Sequence, residues 1–150
     1  MTSKNKNVKM TRAKADKLVE EVRRRIIEVN RDENFCVMIT EARIFGSYVN
    51  APEKDRLSDL DVALRVKYKY SNTDPRMIAS RERCPEYMCK GDAGLLNRHA
   101  WPKEEAMRYI RKRNPYISLN SRIDDPDERK YIFDGPTMVL DLEGSSQGKN

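Results

Sequence analysis

The sequence predicts an α+β domain, and three observations carry that expectation. Apolar residues recur with the period of a helix at Ala15, Leu18, Val19, Val22, Ile26 and Val29, and again at Ala106, Met107 and Ile110. Residues 35–45, 57–66 and 116–123 are short apolar or alternating runs bounded by turn formers, and read as strands. Two further runs, 131–133 and 137–142, are joined by Asp134-Gly135-Pro136 and read as a C-terminal hairpin.

In chain order, residues 1–10 are polar and lysine-rich and are expected to form a flexible basic N-terminus. Thr11 is the expected N-cap of the first helix, with Asn30-Arg31-Asp32 as its stop. The outward face of that helix carries Arg23, Arg24 and Arg25, for which a solvated face is the commoner reading and a basic groove the alternative. Residues 35–45 are apolar on both sides, as a buried strand would be. Residues 67–100 resist this treatment. Asp74-Pro75 can open a short helix through Ser80, but the remainder is loop-like, so the stretch is expected as an irregular insertion. Trp101-Pro102-Lys103-Glu104-Glu105 then places Pro in a first turn and acids at a helix's positive end. Pro115 is expected to end that helix. The domain is therefore drawn over 11–142, followed by a disordered tail at 143–150 rich in Gly, Ser and Gln.

A chain of 150 residues fits one domain with a real core. With 38 % hydrophobic against 36 % charged residues, that core should lie under a heavily charged surface. A net charge of +6 favours anionic partners such as nucleotides, nucleic acid or an acidic protein, without choosing among them. No apolar run approaches the roughly 18 residues that span a bilayer, so no membrane partner is expected. The basic start is not followed by the apolar stretch of a secretory signal, and three cysteines argue against a disulfide framework. A cytoplasmic location is the expectation.

The chemistry concentrates in two short stretches. Ile44-Phe45 runs into Gly46-Ser47, and one loop later Ser58-Asp59-Leu60-Asp61-Val62-Ala63-Leu64 begins a strand. In a strand, Leu60, Val62 and Leu64 point one way and Asp59 and Asp61 the other. Asp is depleted in strands, and two neighbouring carboxylates disfavour each other's charge unless something neutralises them. Mg²⁺ suits such a pair, because it takes one or two carboxylates and fills its other positions with water and phosphate oxygens. Gly46 allows a sharp turn and a close backbone approach, and Ser47 offers a hydroxyl beside backbone N–H groups able to cradle phosphate. Ordinary turn chemistry would explain Gly46, Ser47 and Ser58, but not Asp61 inside an apolar run.

This order of an apolar strand, Gly-Ser, a loop and Ser-Asp-Leu-Asp resembles the DNA polymerase beta-like nucleotidyltransferase superfamily, and most closely its small minimal nucleotidyltransferases. The specific similarity covers residues 42–64. Tyr48-Val49-Asn50 departs from the Ala-Arg-Gly continuation usual in the family. The resemblance implies a nucleotidyltransferase-like mixed sheet with helices packed on it. It implies Asp59 and Asp61 as catalytic and Mg²⁺-binding residues, and Gly46, Ser47 and Ser58 as contacts to ATP or another nucleoside triphosphate. It also implies a third acid on the strand at 116–123, where the outward residues are Ser118 and Asn120, with Asp124 at its end and Asp141 on the last strand. The expected function is transfer of a nucleoside monophosphate, AMP from ATP in the first instance, to a hydroxyl acceptor. The alternative is a catalytically impaired, antitoxin-like module that binds nucleotide or a partner. Relatives of the minimal type often pair with a separate helical protein, so such a partner is a further expectation, and nucleic acid is another candidate.

Overall fold

The computed structural model describes residues 9–123 and 136–143. They form a mixed α+β domain around a four-stranded sheet. Its strands are β2 (Val37–Phe45), β4 (Leu60–Tyr68), β5 (Ile117–Ile123) and β6 (Met138–Val139), in the order β5-β4-β2-β6. β4 runs antiparallel to β2 and parallel to β5, and β2 is antiparallel to β6. The sheet is therefore mixed. A two-stranded ribbon pairs β1 (Met10–Thr11) with β3 (Arg56–Leu57).

Helix α1 (Arg12–Arg31) begins as the sequence predicts, with the Thr11 side chain accepting from Lys14 N at 3.1 Å. Its apolar stripe of Leu18, Val22, Ile26 and Val29 packs on the sheet together with Ala106 and Ile110 of α4 (Gly94–Arg111). The sheet supplies Ile39, Ile44, Leu60, Val62, Leu64 and Val66 to the same core. Along β2 the buried positions change parity, from Val37 and Ile39 to Ala42 and Ile44, because a bulge falls between Ile39 and Glu41. Asn30 bridges to this point, donating Nδ2 to Ile39 O and accepting from Ile39 N. The second arm of the expected C-terminal hairpin is β6 on the edge of β2, and the first arm lies outside the described residues.

Several expectations are corrected. Met10, assigned to a flexible terminus, is buried against Leu57 in the ribbon. Arg25 belongs neither to a solvated face nor to a groove. It is 5 % exposed, donates Nε to Ile110 O at 2.8 Å and pairs with Glu21 at 3.6 Å. The 67–100 stretch is not irregular throughout. Helix α3 (Pro75–Glu82) starts at Pro75 as predicted, capped by the Asp74 side chain, and a 3-10 turn follows at Glu86–Met88. α4 begins at Gly94, so Pro102 is interior and Glu104 and Glu105 are not in a first turn. The first turns of α4 leave Leu95 and Leu96 exposed, so they carry no apolar periodicity for a reader to find. Gly94 makes the close start possible, since a Cβ there would overlap the Cys89 carbonyl. Glu105 instead clasps α3, accepting from Ser80 Oγ at 2.8 Å and Arg83 Nε at 2.7 Å. No helix among the described residues is long and apolar enough to cross a membrane.

Candidate functional site

β2 ends at Phe45, and the chain turns at Gly46 with φ 81° and ψ −156°, a region open essentially to glycine alone. The Gly46 carbonyl accepts from Val49 N and Asn50 N, closing the single turn α2 (Ser47–Asn50). No side chain caps that turn. The antiparallel register sets Phe45 opposite Asp61, and a Cβ on Gly46 would overlap Asp61 Oδ2. Two independent demands therefore meet at Gly46: its backbone conformation and the carboxylate pressed on it.

Asp61 is half-buried on the sheet face away from the α1–α4 core, with Ala63 and Arg65 following it on that face. Burial, and then the charge of Asp59, push its carboxyl above the ordinary carboxylate value. Among the described residues no donor or cation bonds to Asp61. Glu41, on β2 and the same face, provides the contrast. It accepts from Arg43 Nε at 2.5 Å and Arg65 Nε at 2.8 Å. Burial raises it too, yet the two guanidiniums outweigh burial and hold it below the usual range. Among the described residues, one half-buried carboxylate on this face is thus neutralised by two guanidiniums and the other is not.

The other sequence-predicted residues distribute as follows. Asp59 immediately precedes β4, close enough to act on the charge of Asp61. Ser47 opens α2, half-buried, and Ser58 is exposed between β3 and β4. The parallel register sets Ser118 beside Asp61 and Asn120 beside Ala63. Asp124 lies outside the described residues. Asp141 follows β6, on the far side of β2 from β4, and is exposed while its carbonyl accepts from Arg23 Nε at 2.7 Å. It is not a partner for Asp61. No group of three His, Cys, Asp or Glu side chains able to hold a metal occurs among the described residues. Register sets Ser118 beside Asp61 and charge couples Asp59 to it, and oxygen donors of this kind suit a hard divalent cation that keeps several water or phosphate ligands.

Tyr48, where the sequence departs from its resemblance, fixes the turn. Its hydroxyl donates to Asp16 Oδ1 at 2.5 Å, and the Arg12 guanidinium lies 4.9 Å from its ring centroid. Burial, then Asp16, push the phenol up to about 12. Arg12 also donates to the carbonyls of Tyr48, Ala51 and Lys54. Sequence reading missed this anchor because its partners lie more than 30 residues apart in the chain.

The fold and site together define a mixed-sheet α+β domain with a carboxylate pair at a glycine turn. Comparison with protein-family models, with curated proteins and with solved structures finds no match to the chain.

Proposed function

We propose that the chain is a nucleotidyltransferase that uses Mg²⁺ to transfer a nucleoside monophosphate, AMP from ATP in the first instance, to a hydroxyl acceptor. The observation that carries this reading is Asp61: a half-buried carboxylate beside a second acid, bonded to no donor or cation among the described residues, at a turn only glycine can make. Further support comes from the parallel pairing of β4 with β5, which sets beside Asp61 the strand on which the resemblance implies a third acid. Asp59 and Asp61 would hold the cation, which when bound supplies charge stabilisation at the phosphoryl group being transferred. The side-chain-free edge of Gly46 admits the Asp61 carboxylate against the turn, and the Ser47 amide and hydroxyl can donate to phosphate oxygens. The test is release of pyrophosphate from ATP with Mg²⁺ and candidate hydroxyl acceptors, a helical partner protein among them. Activity lost in both Asp59→Asn and Asp61→Asn is the expected result. Failure to release pyrophosphate with any acceptor overturns the transferase reading.

A second reading, a nucleotide- or partner-binding module without turnover, is favoured by one residue. Ser118 stands beside Asp61, where the resemblance implies a third acid. Lacking a group that deprotonates the acceptor costs about 10²–10⁴ in rate. This reading expects Mg²⁺-dependent ATP binding in calorimetry, lost in Asp61→Asn, with no label transferred. If transfer is limited at this position, Ser118→Asp raises the rate of pyrophosphate release.

A further inference from the structure

We propose that the basic rim formed by the first turns of α1 and the C-terminal end of α4 is a docking surface for a nucleic-acid strand. Lys14, Lys17, Arg111, Lys112 and Arg113 are all exposed. None of these five side chains forms an ion pair among the described residues, whereas Arg23, Arg24, Arg83 and Arg108 are each paired with a glutamate. Two of the ammonium groups sit on aromatic faces: Lys14 Nζ lies 5.0 Å from the Tyr116 ring centroid and Lys112 Nζ 4.6 Å from that of Tyr109. Such seating orders a cation without neutralising it.

The surface is also shaped. A groove of about 500 Å³ is lined by Lys14, Lys17 and Asn114, and another of about 430 Å³ by Arg111, Lys112 and Arg113. Asn114, which lines the first groove, directly follows Arg113, which lines the second. The one acid lining the first groove, Glu21, is already paired with Arg25 at 3.6 Å. Lys112 and Arg113 are both left-handed, at φ 52° and 59°, a conformation that glycine or asparagine adopts at lower cost. The chain holds two cations there instead.

Five exposed cations without ion pairs among the described residues, on two grooves, favour a nucleic-acid strand over an acidic protein, because a strand presents a regular line of phosphates. Residues 108–116, Arg-Tyr-Ile-Arg-Lys-Arg-Asn-Pro-Tyr, carry the cations of the α4 end in one stretch. Lys14 and Lys17 of α1 join them only in the fold, where they line a groove with Asn114. The rim reaches the candidate site through Tyr116, whose carbonyl accepts from Leu60 N at 2.7 Å. The inference nevertheless stands without the metal-nucleotide reading.

The test is fluorescence anisotropy of a short labelled single-stranded RNA titrated with the full chain over a range of salt. Wild-type binding should weaken linearly in log salt. The triple variant Arg111→Gln/Lys112→Gln/Arg113→Gln should bind at least about tenfold more weakly at low salt, with a slope smaller by about 2, as expected for three lost contacts at roughly 0.7 each. Lys112→Gly, which suits the left-handed backbone, should lower the slope while leaving the circular dichroism melt in place. Asp61→Asn should bind RNA as wild type does, which separates failure here from failure of the transferase reading. The proposal is overturned by absence of salt-dependent binding, or by an equal loss in the charge-matched control Arg24→Gln/Arg31→Gln/Lys67→Gln. Preference for polyglutamate that RNA cannot displace would overturn it as well.

Discussion

Gly46 and Gly91 share a positive φ, 81° and 73°, but only Gly46 faces a neighbour. Gly46 also lies in a region open essentially to glycine alone, so crowding there is isolated by removing Asp61. Gly91→Ala should destabilise the fold by about 1 kcal/mol, from its backbone alone. Gly46→Ala should cost on the order of 2–4 kcal/mol in urea melts, because its Cβ must also displace Asp61. In an Asp61→Ala background the excess at Gly46 should shrink by roughly 1 kcal/mol or more. An unchanged Gly46→Ala cost in the Asp61→Ala background would show that the turn is not pressed on the carboxylate. Asp61 carries a pH prediction as well. Its folded pKa lies above the ordinary 3.8, so the folded state holds its proton longer than the unfolded chain does. Its contribution is least unfavourable below that ordinary value, and stability is lost as pH rises through the raised folded value. Asp61→Asn should flatten that part of the stability profile. It should also abolish any gain in melting temperature on adding Mg²⁺ with ATP. Gly46 and Asp61 were both legible in the sequence, because an acid in an apolar strand and a glycine at its end are local anomalies. The Tyr48–Asp16 bond was not, since nothing local distinguishes it.

At the scale of elements, α1 and α4 are joined by more than apolar contact. Arg25, inside α1, reaches the carbonyl of Ile110 in the last turn of α4, where helix carbonyls lack internal partners. Arg25→Ala should therefore cost about 2–4 kcal/mol, since it strands a carbonyl and removes packed methylenes. Arg24→Ala, one residue earlier and exposed in an i,i+4 pair with Glu28, should stay within about 0.5 kcal/mol. Comparing the two denaturation midpoints tests the assignment, and similar costs would contradict it. The helical period does single out Arg25, three after Val22 and four before Val29 on the apolar stripe, but not the α4 carbonyl that it reaches. The same limit applies to α4. Pro102 was taken for a start signal, yet the helix extends upstream of it through turns whose leucines face solvent. Hydrogen exchange offers a check at this scale. Amides of residues 95–101 should exchange faster than those of 103–111, because Pro102 cannot supply the hydrogen bond that ties the two halves together.

For the whole molecule, the sheet is the frame on which everything else depends. β4 is central, antiparallel to β2 and parallel to β5, and its Leu64 is fully buried beneath α1 and α4. Leu64→Ala should lower stability by about 2–5 kcal/mol. Against a typical total of about 5–15 kcal/mol, that is a large share. The midpoint in denaturant should fall with little change in slope if the fold remains cooperative. The parallel pairing of β4 with β5 requires the chain to cross over between Tyr68 and Ile117, and α3 and α4 occupy that crossover.

What the sequence determined on its own were the features that repeat or clash over a few residues: the stripe of α1, the alternation of β4 and β5, and the carboxylate pair beside a glycine turn. Each is set by the geometry of one element, so neighbouring residues suffice to reveal it. Only the tertiary structure decided that Ser118 falls in register with Asp61, that Arg25 meets the carbonyl of Ile110, and that Lys14 and Lys112 belong to one rim. Those outcomes depend on groups brought together from distant parts of the chain, and burial, register and charge balance exist only once they have met.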